Sequence, residues 1–203
     1  MPTYPDYYKP LYGAVGGQFG NLFILCGGHS PQDGNSKGCY KIESTGFSLF
    51  GNMKKKRLEA ASITLADTIW IIGGSGDTDS LTTSEYISAI DGSNEEGPDL
   101  PIDIKRHAAI QVNITTSMII GGWSSDGDYG GSWFFSHTTG QWIEGPDLLQ
   151  VTRYLSVGLV IDSVTQESSI VVTGGASGGY ILDSVYILSK DGTKWISGKL
   201  FVT

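Results

Sequence analysis

The chain predicts an all-β fold assembled from about four copies of one four-stranded unit. Three observations carry this. Glycine is dense, 29 of 203 residues against 7 prolines. It follows no Gly-X-Y period, so the chain turns often and its strands are short. Gly-Gly pairs close four apolar runs: Leu22–Cys26 before Gly27-Gly28, Ile69–Ile72 before Gly73-Gly74, Met118–Ile120 before Gly121-Gly122, and Ile170–Thr173 before Gly174-Gly175. Their first glycines are spaced by 46, 48 and 53 residues, a period that belongs to a propeller or a solenoid. No window sustains a 3.6-residue apolar period, so essentially no helix is expected.

The units run approximately over 11–53, 54–101, 102–149 and 150–203, after an N-terminal tail of residues 1–10. No linker-like stretch separates them, so they read as a single domain. Unit three is the cleanest. His107–Val112 is small and apolar, suiting a crowded inner strand. Ser117–Ile120 is a continuous apolar run, as expected of a strand covered on both faces. Ser132–Ser136 is aromatic and β-prone, and Gln141–Glu144 is short and more polar, suiting an outer edge. A glycine turn joins the last two pieces of every unit: Thr45-Gly46, Asp91-Gly92, Thr139-Gly140 and Asp191-Gly192. Asp-Gly is a strong hairpin signal because the tight turn needs positive φ. Unit four carries a longer first hairpin, Asp162–Ser169.

Other positions recur in step with the double glycine. Arg57, Arg106 and Arg153 precede the second, third and fourth pairs. Tyr40, Tyr86, Trp133 and Tyr186 follow the pairs by 11 or 12 residues, and Phe47, Trp142 and Trp195 come after them. Asn94 breaks the second aromatic series. Gly-Pro-Asp-Leu closes units two and three, at Gly97–Leu100 and Gly145–Leu148. The double glycine, the spaced Tyr and Trp, the opening arginine and the Trp-x-x-Gly-Pro-x-Leu linker together resemble the kelch repeat, over about residues 11–200. The resemblance implies a kelch-type β-propeller of about four blades, each of four antiparallel strands. Kelch propellers usually have five to seven blades, and about four are present here. Three arrangements answer this: a fragment of a longer propeller, which is favoured, a closed four-bladed ring, or self-association through open ends.

Composition excludes several classes. A formal charge of −8 argues against a general nucleic-acid or anionic-membrane binder, and no apolar run reaches the length of a membrane span. The first residues hold neither a basic nor an apolar signal region, which gives a cytoplasmic expectation. Cys26 and Cys39 fall on the second and third strands of unit one, close enough to be neighbours across a hairpin, and are read as buried free thiols of a reducing compartment.

Candidate chemistry is thin. His29, His107 and His137 fall at different phases of the unit, so no shared metal site is expected. Asp33-x-Asn35, Asp77-x-Asp79 and Asp126-x-Asp128 raise a calcium hypothesis, but their offsets differ and turn chemistry uses the same residues. Lys54-Lys55-Lys56 reads as a solvated loop. The best candidate surface is the arginine set. Arginine offers a planar fork of donors that fits carboxylates. In kelch-containing ubiquitin-ligase adaptors the matching arginines grip acidic peptides, a role the resemblance carries to Arg57, Arg106 and Arg153. The residues after each double glycine border the same face; of these Trp123, His29 and Ser75 join the candidate set, with Trp123 a loop-borne aromatic of hot-spot type. The expectation is a non-catalytic module binding a partner protein or acidic peptide, without cofactor. A propeller enzyme or a saccharide-binding module is the alternative.

Overall fold

The structure is a computed structural model that describes residues 10–43, 46–161 and 166–198. Residues 1–9 of the expected tail, Thr45 of the first glycine turn, residues 162–165 of the long hairpin and the segment from 199 lie outside the described residues. Among the described residues there is no helix, hence none long and apolar enough to cross a membrane.

Four antiparallel four-stranded paths follow one another along the chain. The first joins β1 (Tyr12–Phe19), β2 (Leu22–Ser30), β4 (Gly38–Glu43) and β5 (Gly46–Asn52) in that order, with the short β3 (Gly34–Asn35) paired to β2. The second is β6 (Ala61–Thr64), β7 (Thr68–Ile72), β8 (Ser84–Ser88) and β9 (Asn94–Glu96). The third is β10 (Ala108–Asn113), β11 (Thr116–Ser124), β12 (Gly127–Ser136) and β13 (Gln141–Glu144). The fourth runs through β14 (Ser156–Ile161), β15 (Ser168–Thr173), β18 (Val185–Leu188) and β19 (Trp195–Ser197). A separate ribbon of β16 (Ala176–Ser177) and β17 (Tyr180–Ile181) leaves it after the last double glycine. Each path lies inside one repeat of the sequence. The chain forms two compact units, Met1–Lys105 with the first two sheets and Arg106–Thr203 with the last two.

Local geometry follows from the glycines. All eight residues of the four Gly-Gly pairs have φ between +59° and +113°, a region that costs other residues strain. At Gly27 there is also no room: a Cβ would stand 2.4 Å from the Arg57 carbonyl oxygen. The pair therefore lets the chain turn out of the sheet while the next unit's entry segment passes close by.

Inside each unit, one sheet lies on the other through alternating residues. In the first unit Ile24 and Cys26 of β2 share a buried cluster with Ile69 and Ile71 of β7. In the second unit Met118 and Ile120 of β11 share one with Ile170 and Val172 of β15, extended by Leu155, Tyr186 and Trp195. Fully burying one such side chain contributes roughly 1.5–3 kcal/mol. Trp195 also donates its indole N–H to the Pro146 carbonyl at 3.0 Å, tying the fourth sheet to the Gly-Pro-Asp-Leu linker of the third.

Two expectations change. The thiols are not free: Cys26 and Cys39 face each other across β2 and β4 and form a disulfide, both at most 1% exposed. Directly opposed positions on neighbouring strands bring the two Cβ atoms within bridging reach. The aromatic series also slips at unit two. Tyr40, Trp133 and Tyr186 stand opposite Leu25, Ile119 and Val172, each two residues before the double glycine. The residue opposite the matching Ile71 is Glu85, and Tyr86 faces Trp70 instead. A one-residue shift sends a strand's side chains to the other face, so a carboxylate occupies the slot that the other sheets give to an aromatic ring.

Candidate functional site

The three arginines read as one recurring position occupy three successive ones. The second glycine's N–H marks the register: Gly28 donates to the Arg57 carbonyl at 2.8 Å, Gly74 to Ile104 at 2.8 Å and Gly122 to Thr152 at 2.7 Å. Arg57 thus corresponds to Ile104 and Thr152. Arg153 lies one residue further on, and Arg106 two. The entry segments bend at Glu59, Arg106 and Tyr154, which share φ between +55° and +58°, so the three arginine side chains leave them in different directions and meet different surroundings.

Arg57 faces inward. It is 1% exposed, and its partner Glu85 is 2% exposed. Its Nε and Nη2 donate to Glu85 Oε1 at 3.1 and 2.8 Å, its Nη1 donates to the carbonyls of Gly73 and Thr83, and Nη2 also reaches Thr83 Oγ1. Glu85 in turn accepts the backbone N–H groups of Lys54 and Lys55 and the Asn94 side-chain amide. Burial lowers the Arg57 pKa, with Glu85 pulling it back up. Arg57 is therefore corrected from a partner contact to a structural cation. Asn94, the break in the aromatic series, is where it is because this buried carboxylate needs a donor.

Of the other first-unit candidates, His29 places Nδ1 2.8 Å from Asn35 Oδ1 and tilts its ring against Tyr12. Asn35 Nδ2 donates to the Gly76 carbonyl at 2.6 Å. Ser75 is buried, bridges Leu58 by backbone hydrogen bonds, and donates its hydroxyl to the Asp79 carbonyl at 3.4 Å. Both knit loops together, with His29 half exposed. A cleft of about 500 Å³ nearby is lined by Lys37, Lys54, Lys55 and Lys56 with Asp77 and Asp79, and Lys56 pairs with Asp77 at 3.0 Å.

In the second unit Arg153, Trp123 and Arg106 come together. The Arg153 guanidinium lies over the Trp123 ring at 5.0 Å from its centroid. Arg153 is ion-paired to Asp128, and the second Asp128 oxygen accepts the Gly178 N–H at 3.0 Å. Trp123 and Asp128 are opposed in the register of β11 and β12, and Arg153 bridges Ala176, so three segments hold the site. Arg106 covers the Tyr154 ring at 4.9 Å, and the Tyr154 N–H donates to the Arg106 carbonyl. Burial works against ionising Asp128, but the Gly178 N–H, Arg153 and Arg106 outweigh it and hold its carboxyl below the usual range. The Arg153 Nε is buried with no hydrogen-bond partner among the described residues.

Asp128 and Tyr154 were missed as site residues. Asp128 was visible only as half of a possible calcium pair, and Tyr154 only as the neighbour of Arg153. In the second of these pairs Asp77 is engaged by Lys56 and Asp79 by Thr78. Among the described residues no group of three His, Cys, Asp or Glu side chains is arranged to hold a metal. His137 places Nε2 2.8 Å from the Ser117 hydroxyl, and His107 is buried at the entry to β10. The chain matches no model of a known protein family and no curated protein.

Proposed function

We propose that this chain is a kelch-type β-propeller module that binds an acidic segment of a partner protein without catalysis, through Arg106, Arg153 and Trp123. The repeat pattern and the four-stranded sheets in sequence order support the propeller reading. The observation that carries the binding reading is the Arg153 site. Its guanidinium is stacked on an indole and oriented by Asp128, and its side chain stays 18% exposed. Stacking leaves the edge of the guanidinium available to a second carboxylate, and an aromatic beside an arginine is the composition of a binding hot spot. A partner carboxylate would share or displace Asp128, which serves as an internal stand-in while the site is empty.

The test is a calorimetric titration of acidic peptides against the full chain, repeated in rising salt. Arg153→Ala is expected to weaken binding by about tenfold or more, and Arg57→Lys to act only through stability. Equal affinity for the parent and for Arg153→Ala, Arg106→Ala and Trp123→Ala would end this reading.

One observation favours the saccharide-binding alternative: the Cys26–Cys39 disulfide suits an oxidising compartment rather than the cytoplasm. An indole flanked by a carboxylate is also a sugar-stacking arrangement. Salt-insensitive binding of a neutral glycan that is lost in Trp123→Ala would support it.

A further inference from the structure

The first sheet uses β2 residues Ile24 and Cys26 to meet Ile69 and Ile71 of the second. The third sheet uses Met118 and Ile120 to meet Ile170 and Val172 of the fourth. Counted back from the first glycine of each pair, these are the same positions both times. Residues one and three before the glycine form one face, and residues two and four before it form the other. Every unit therefore carries a forward face and a backward face, and the same contact is made twice.

Of the faces without such a partner inside a unit, one on the fourth sheet and one on the first carry exposed apolar side chains among the described residues. On the fourth sheet the forward face holds Gly158, Val160, Val171, Ile187 and Ile196, aligned by register across β14, β15, β18 and β19. Val160 is 54% exposed and Ile196 48%. Gly158 occupies the position that Gly17 has in the first sheet, since each stands opposite the third residue before its double glycine. A Cβ at Gly17 would strike Thr64 and Ile69 of the next sheet at 2.7 and 2.9 Å, whereas one at Gly158 meets nothing within 4 Å among the described residues. On the first sheet the backward face holds Phe23, Leu25, Tyr40, Ile42 and Leu49, with Phe23 38% and Leu49 59% exposed. The two uncovered faces are the complementary halves of the contact made inside each unit.

We propose that the forward face of the fourth sheet receives the backward face of the first sheet of a second copy of this chain, repeating head to tail the contact the chain makes internally. The pairing is heterologous, so its natural products are a ring or an extending row of copies. It is independent of the acidic-partner reading, which concerns Arg106, Arg153 and Trp123 rather than these sheet faces. A charge of −8 per copy opposes association at low ionic strength, so the complex strengthens with salt, the reverse of the dependence expected of an arginine–carboxylate interface.

The test is sedimentation velocity of the full chain over a wide concentration range at moderate salt. The parent is expected to exceed its 21.7 kDa monomer mass as concentration rises. Val160→Lys/Ile196→Lys blocks only the forward face and Leu49→Lys only the backward face. Both change side chains that are exposed in the single chain, and a cooperative melt verifies each fold. Should a lysine variant fail to melt cooperatively, Ile196→Thr and Leu49→Thr replace it, with partial loss of association expected. Each variant alone is expected to stay monomeric. Mixed in equal amounts they are expected to form a one-to-one complex that grows no further, because one intact face of each remains and these two match. A parent monomeric at every concentration, variants that associate like the parent, or a mixture that stays monomeric would each overturn the proposal.

Discussion

His107 fills the slot that Ala60 and Leu155 fill at the entry to β6 and β14, and like Leu155 it is buried. Neither ring nitrogen has a hydrogen-bond partner among the described residues, and burial lowers its pKa from 6.5 to about 3. The folded chain therefore holds a neutral imidazole through a range in which the unfolded chain takes up a proton. Stability from this residue is complete above about pH 6.5 and falls as the pH drops towards 3. Linkage makes the loss about 2 kcal/mol at pH 5. Urea midpoints at pH 7 and pH 5 check this: the parent should lose that amount, and His107→Leu should flatten the dependence. The Arg57–Glu85 pair is the opposite case, a buried charge fully paired. Arg57→Met leaves Glu85 uncompensated and should cost about 3–5 kcal/mol, with much of it recovered in Arg57→Met/Glu85→Leu. A double variant as unstable as the single one would mean the backbone carbonyls of Gly73 and Thr83, rather than Glu85, are what Arg57 serves.

At the scale of elements, the first sheet alone carries a covalent tie. Cys26–Cys39 closes a sequence separation of 13 residues between β2 and β4, and loops of this size gain on the order of 3 kcal/mol from cross-linking. Reductant should lower the melting temperature of the parent and leave Cys26→Ala/Cys39→Ala unchanged. Equal melting of the parent with and without reductant would show that the tie adds nothing to a sheet already held by packing. The strands themselves were legible because the double glycine and the apolar runs before it repeat in step. What the sequence hid was a one-residue phase. Counting distances from Gly-Gly put Tyr86 among the aromatics, when the chain path through residues 75–83 lets Glu85 take that position. The same kind of slip spread Arg57, Arg106 and Arg153 over three neighbouring positions. Spacing tolerates a shift of one residue, whereas a pleated strand reverses its exposure with it. Trp123 and Arg153 were named from the sequence, but Asp128 and Tyr154, which orient the arginines, depend on a hairpin register that spacing does not encode.

For the whole molecule, what matters is that repeats are stabilised by their neighbours as well as by themselves, so a sheet covered on both faces is held more firmly than one covered on a single face. The central strand of the third sheet, β11, has Ser117, Met118, Ile119 and Ile120 all at most 2% exposed, irrespective of which way each points. The matching strand of the fourth sheet, β15, alternates, with Ile170 and Val172 buried and Ser169, Val171 and Thr173 not. Opening β15 therefore gives up packing on one side only. Amide hydrogen exchange on dilute protein should protect β11 and β7 longest, with β15 and β14 exchanging first among the strands that lie inside a sheet or against one. If the uncovered face is an interface between copies, raising the protein concentration should slow exchange in β15, β14 and β2 together while leaving β11 unchanged, because association stabilises only the states it contacts. Uniform protection of β11 and β15 at low concentration would mean the exposed face costs the fourth sheet nothing, and that its stability comes from within.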